Sequence, residues 1–239
     1  MAGLLELRSR RRREIDACEN ADADTQSLRT LADEAFARAA LRAKALSRNR
    51  LAACNSFDAE VNAKLQNLGM ENAAFQTRIE SAVPTPENPS SLTPSGCDKL
   101  EFFLSANAGE TPKPLRLIAS GGEISRIMLA IKTALAQSDP RPLLVFDELD
   151  TGIGGVTANR VGRALKELAR HHQLIVITHL HQVAAQADHQ QKVVKEMQGG
   201  RTVTQVKSLN PEDRVLELAR MMGDEQSPAT LEHARQLLT

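Results

Sequence analysis

Leu143-Leu144-Val145-Phe146-Asp147-Glu148 is an unbroken apolar run that stops on two acids. Such a run reads as a buried strand of a parallel sheet, because strands covered on both faces lose the alternation of half-exposed ones. Ligands of open α/β sheets bind at the carboxyl ends of strands, so Asp147 and Glu148 stand where a ligand would be met. One carboxylate can hold Mg²⁺ directly or through water, and the next can polarise a water; phosphoryl transfer needs both tasks. Solvated acids at a strand end are the plainer reading.

Outward from this run the pattern stays α/β. A helix is expected over residues 156–171, and Leu174-Ile175-Val176-Ile177-Thr178 reads as a second buried strand, ending at His179. If the two strands are neighbours, His179 lies beside Asp147 and Glu148, where an imidazole could contact a phosphate or an attacking water. A lone histidine at a strand end is otherwise structural. Upstream, Ser120-Gly121-Gly122-Glu123 opens a helix over residues 123–137. Paired glycines let backbone amides approach an anion, and the helix start adds its positive end. Ser120 with Glu123 is also ordinary capping chemistry, which needs no ligand.

Residues 1–70 read as helical. Leu28, Ala32, Ala35, Ala39, Ala43 and Leu46 recur in steps of three and four, followed by Val61, Leu65 and Leu68. This is either an amphipathic helix packed on the domain or one arm of an antiparallel coiled coil. Gly69 ends the pattern. An alternating strand follows over residues 73–80, then a proline-rich loop over 81–98, a short strand over 100–104 and further turns. Beyond His179 the sequence predicts a short helix over 180–187, a hairpin about Gly199-Gly200, and helix from Pro211 onward, broken at Gly223 and Pro228.

The composition excludes several functions. The 239 residues carry 30 Lys+Arg against 30 Asp+Glu, so any nucleic-acid contact is local rather than a bulk-charge effect. Aromatics are only 3%, with no Trp or Tyr, which argues against a base-stacking surface. Cys18, Cys54 and Cys97 are far apart and odd in number, which excludes a disulfide framework and suits a reducing compartment. No apolar run approaches membrane-spanning length, and a soluble, cytoplasmic protein is expected. Arg10 to Arg13 could touch phosphates, but the acids just behind them point to a solvated helix. The histidines show no fixed metal-ligand spacing.

The order and spacing of these motifs resemble the ATP-binding-cassette heads of the SMC class. Ser120 to Glu123 looks like the signature motif, Leu143 to Glu148 like Walker B, Leu149-Asp150-Thr151-Gly152 like the D-loop and His179 like the switch histidine. More narrowly, residues 118–130, 146–155, 176–184 and 219–223 are similar to the RecN family of bacterial DNA repair proteins. The family's pattern has Pro where His181 stands. The resemblance implies an α/β fold: the C-terminal lobe of a P-loop ATPase head (residues 71–239) with a coiled-coil arm (residues 1–70).

It also implies ATP and Mg²⁺ as cofactors. Asp147 would position Mg²⁺, and Glu148 and His179 would be catalytic. Ser120, Gly121, Gly122, Glu123 and Asp150 would bind ATP. The P-loop such heads need is absent: Gly-Lys occurs nowhere in the 239 residues. The implied partners are an N-terminal P-loop half or a second head in a dimer, and DNA through the assembled, nucleoid-associated protein, with no membrane. A non-catalytic interaction module and a fragment of another SMC-class head are the alternatives.

Overall fold

Helix α1 (Ala2–Asn67) is a single unbroken helix, and Gly69 stops it. With φ at +78°, Gly69 donates its amide to Gln66 O (3.3 Å) while Met70 donates back to Leu65 O (3.1 Å). This is the paired left-handed helix stop that glycine permits. A side chain at Gly69 would also strike Thr157 Cγ2, 2.6 Å from where a Cβ would lie. The computed structural model describes residues 2–86, 88–118, 120–198 and 201–238. Ala119 and the expected hairpin tip, Gly199-Gly200, lie outside the described residues.

Two compact units divide the chain. One comprises the residues up to Asn55 with Arg78–Leu100; the other comprises Ser56–Thr77 with the residues from Glu101 onward. Val61, Leu65 and Leu68, in the last turns of α1, are buried in the second unit's core. In the first unit, Arg50 Nη1 pairs with Asp98 Oδ2 (2.8 Å), and Ser81 Oγ donates to Asp98 Oδ1 (2.7 Å). Farther up α1, Arg10 and Arg11 pair with Glu14, and Arg12 with Asp16, all solvent-exposed.

Strands β1 (Ala74–Ser81), β2 (Asp98–Ser105) and β3 (Lys113–Pro114) form one sheet in that order. The backbone of β1 is met by side chains of α1 one helical turn apart. Asn62 accepts from Phe75 N (2.7 Å) and donates to Phe75 O (2.9 Å), and Asp58 accepts from Thr77 N and from Thr77 Oγ1 (2.6 Å). Phe57, Phe75 and Phe102 pack together beneath them, with ring centroids 5.2–6.0 Å apart.

Helix α2 (Gly121–Ala134), β4 (Leu143–Phe146), α3 (Gly155–Leu168) and β5 (Gln173–Val176) follow. β4 and β5 pair in parallel, Leu143 with Gln173 through Phe146 with Val176. The expected parallel, neighbouring strands are present, but their burial on both faces is not. Leu144 and Phe146 share a core with Ile127 and Leu165, whereas Val145 is 60% exposed, and Leu143, Ile175 and Ile177 are exposed as well. The described part of this sheet has only two strands, and its helices and core lie on one side. The chain ends with α4 (His181–Ala184), the antiparallel hairpin of β6 (Gln191–Gln198) and β7 (Arg201–Ser208), α5 (Pro211–Met221) and α6 (Pro228–Leu238). Among the described residues no helix is long and apolar enough to cross a membrane.

Replacing Asn62 with Ala would leave the buried Phe75 amide and carbonyl unpaired. The variant is expected to lose about 1–3 kcal/mol, seen in urea unfolding as a lower midpoint with an unchanged slope. An unchanged midpoint would mean that Asn62 does not sustain the edge of β1.

Candidate functional site

The site is built where α2 begins, where β4 ends and where β5 ends. Ser120 caps α2, its Oγ accepting from Glu123 N at 3.4 Å, and Glu123 adds an acid to the first turn. The capping role is thus present whatever else these residues do. The two glycines let α2 abut the turn after β4. A Cβ at Gly121 would collide with Glu148 Oε2, and one at Gly122 would lie 3.0 Å from Thr151 Cβ and 3.2 Å from Glu148 O.

That turn is tightly held. Glu148 N donates to Asp147 Oδ1 (2.9 Å), Thr151 N to Glu148 O (3.3 Å) and Ile153 N to Asp150 O (3.3 Å). Glu148 takes φ of 59°, a left-handed conformation uncommon for a residue with a side chain. Ser125 Oγ donates to Asp147 O at 2.8 Å. Arg126 Nη1 donates to Thr151 O at 3.0 Å and reaches Leu149 O at 3.5 Å. Arg126 is only 8% exposed. Burial pulls its guanidinium below its ordinary pKa, and the Glu123 carboxylate opposes that shift.

Asp147 and Glu148 remain exposed, and Asp147 lines a groove of about 220 Å³ together with Ile124, Ser125 and Lys132. Asp150 is 4% exposed, and its carboxylate points inward. Asp150 Oδ2 accepts from Thr178 Oγ1 (2.6 Å) and His179 N (2.8 Å), and lies 3.0 Å from His179 Nδ1. Burial alone would raise this carboxyl's pKa; the bonds from Thr178 and the His179 amide and the field of the His179 ring outweigh it and hold the carboxyl below its usual range. Thr178 and His179 stand just beyond β5, and the His179 ring is 73% exposed.

Gly121 and Gly122 are thereby brought against Glu148 and Thr151, and Asp150 against His179. Among the described residues no hydrogen bond joins His179 to Glu148. Sequence reasoning missed Ser125 and Arg126 as anchors of the turn. Their signal was an arginine four residues after Gly122 on the helix face that carries Ile127 and Ala130.

A glycine-paired helix start, two strand-end acids and a strand-end histidine thus gather at one sheet end of an α/β lobe that a long helix precedes. The profile of the RecF/RecN/SMC N terminal domain matches residues 16–202, and the chain belongs to that family. It is 40% identical over 243 residues to the DNA repair protein RecN of Treponema pallidum (strain Nichols), covering 100% of this chain and 42% of that protein. It is 37% identical over 244 residues to the DNA repair protein RecN of Bacillus subtilis (strain 168), covering 98% and 42%. The chain thus spans about two fifths of the length of these relatives. Among solved structures it is similar to a Smc head domain with a coiled coil and joint from Pyrococcus yayanosii, with 26% identity, a TM-score of 0.46, and 76% of this chain and 29% of that one covered.

Because folding lowers the Asp150 pKa, the stability it confers is fully present above the unfolded value, about 3.9, and is lost as pH falls through the lower folded value. Asp150→Asn should therefore be less stable than the native chain at neutral pH, with the gap closing on acidification. Thermal melts from pH 7 to pH 3 would show it. A gap that stays constant over that range would mean that the charge of Asp150 adds nothing.

Proposed function

We propose that this chain supplies the signature, Walker B and switch-histidine elements of a RecN-like ATPase acting in DNA double-strand-break repair and recombination. In this reading residues 1–70 are the coiled-coil arm and residues 71–239 the lobe. Hydrolysis is completed by a P-loop lobe, since no Gly-Lys dipeptide exists in this sequence. One observation carries the reading: Asp147 and Glu148 stay exposed at the strand end while the turn that presents them is bonded on all sides. The bare apolar face around Val145 and Ile175 supports a further lobe docking there, because parallel strands are normally covered on both faces.

The residues fit a magnesium nucleotide. Two exposed carboxylates at a strand end are hard oxygen donors suited to Mg²⁺, and the amides at the start of α2 beside them would suit a phosphate. When bound, the ion would neutralise charge on phosphate oxygens. Asp147 would hold it, and Glu148 would orient the attacking water. His179 would meet the γ-phosphate. Ser120, Gly121, Gly122 and Glu123 would face a nucleotide held by an opposing head, so that head closure and ATP binding are coupled and the arms open and close on DNA. The assembled protein would work in the cytoplasm, at the nucleoid.

Mixed with the P-loop half of a RecN relative, the chain should gain Mg²⁺-dependent ATP hydrolysis. Glu148→Gln should then slow turnover by about two to four orders of magnitude while leaving ATP binding intact, as expected for loss of a group that acts in the transition state. Equal loss of ATP affinity would make Glu148 structural, and absent hydrolysis in the native mixture would favour a non-catalytic module.

Ser120→Arg separates signature from cap. It should leave ATP binding intact but abolish ATP-dependent dimerisation, measured by light scattering. Normal dimerisation and turnover would reduce Ser120 to a helix cap.

A further inference from the structure

Three elements are joined by one run of hydrogen bonds. Arg126 projects from α2 and donates through Nη1 to the carbonyls of Thr151 and Leu149, which flank Asp150 on either side. Its guanidinium is buried, and Nε has no partner among the described residues. Withdrawing a cation from water to hold two backbone carbonyls is costly, so the turn it fixes is held for a reason beyond closing a loop. Asp150 then extends its carboxylate to the end of β5. One oxygen, Oδ2, takes the Thr178 hydroxyl (2.6 Å) and the His179 amide (2.8 Å), and faces His179 Nδ1 at 3.0 Å.

We infer that Asp150 is a positioning residue for His179, set in place from α2 by Arg126, and that it fixes the imidazole tautomer. An ionised carboxylate offers only lone pairs, and a bare ring nitrogen 3.0 Å away would set its own lone pair against them, so the nitrogen on that side is the one that carries hydrogen. Nδ1 therefore carries the proton, and Nε2 of the neutral ring carries the lone pair and faces solvent on a side chain that is 73% exposed. The neutral ring can accept a proton from water at Nε2; it can donate to a phosphate oxygen only when doubly protonated. The second tie, from the His179 amide to the same oxygen, holds the backbone of His179 beside the carboxylate, so that the ring is presented to it at 3.0 Å. A shift of α2 would reach His179 through Arg126, the turn and Asp150, with no contact between α2 and the histidine required. This deepens the proposed role of His179 and rests on it for its catalytic meaning, but the tautomer itself is a property of this chain alone.

The test is long-range ¹H–¹⁵N correlation NMR on the full chain labelled with ¹⁵N-histidine, without nucleotide, with His179 assigned by the signals lost in His179→Gln. At a pH where the ring is neutral, the native chain should show a protonated Nδ1 and a bare Nε2. Asp150→Ala should lose that pattern and gain the Nε2–H form. Arg126→Met, which keeps bulk but removes the donors, should give a mixture of the two.

An Nε2–H ring in the native chain overturns the inference without any variant, so a variant that fails to fold does not shield it. Retention of Nδ1–H in Asp150→Ala overturns it too, and an unchanged ring in Arg126→Met overturns the link from α2. Absent hydrolysis with the Nδ1–H ring present would defeat the ATPase reading alone. An Nε2–H ring with normal hydrolysis would defeat this inference alone.

Discussion

The turn after β4 and the first turn of α2 approach closely, and they fit because Gly122 has no side chain. Gly122 lies against the backbone of Glu148 and Thr151, close enough that one methyl group would force the turn to move. Given that approach, Ser125 and Arg126 come within reach of the turn's carbonyls. With the carbonyls fixed, Asp150 is buried and must find donors, because a carboxylate removed from water is unfavourable unless hydrogen-bonded. Thr178 and His179 supply them. Close packing at one point thus sets the geometry of all three motif-bearing segments.

Helix α1 solves a different problem. A strand at the edge of a sheet leaves amides and carbonyls unpaired, and proteins cover such edges or disrupt them. Here Asp58 and Asn62 substitute for a neighbouring strand, and Val61 and Leu65 on the same turns are fully buried in the core. The last turns of the helix therefore serve as both core and sheet edge, and they group with the lobe rather than with the rest of the helix.

Much of this was legible in the sequence. Apolar continuity located β4 and β5, alternation located β1, and the glycines located the helix starts and stops. The acids, the glycine pair and the histidine fall at element ends, as their spacing implied. Three things were not legible, for separate reasons. One-sided exposure of β4 is invisible because Val145 reads the same whether covered or bare. The bonds of Asp150 to the end of β5 are not legible because a carboxylate's direction is a tertiary property, set by Thr178 twenty-eight residues away. Asn62 and Asp58 read as helix surface, since nothing local indicates that a strand's backbone lies opposite them.

Glu148 shows how stability and chemistry pull apart at one residue. An L-residue in the left-handed region costs roughly 1–2 kcal/mol relative to the common helical one, and glycine at φ of 59° would escape that cost. Thermostability selection acting on this lobe alone would therefore enrich glycine at 148 and discard the carboxylate. Ranking variants by melting temperature would place the least capable ones near the top. An engineering campaign on this lobe needs position 148 held fixed from the outset, with any added stability sought in the core around Leu65 and Phe146, away from the turn.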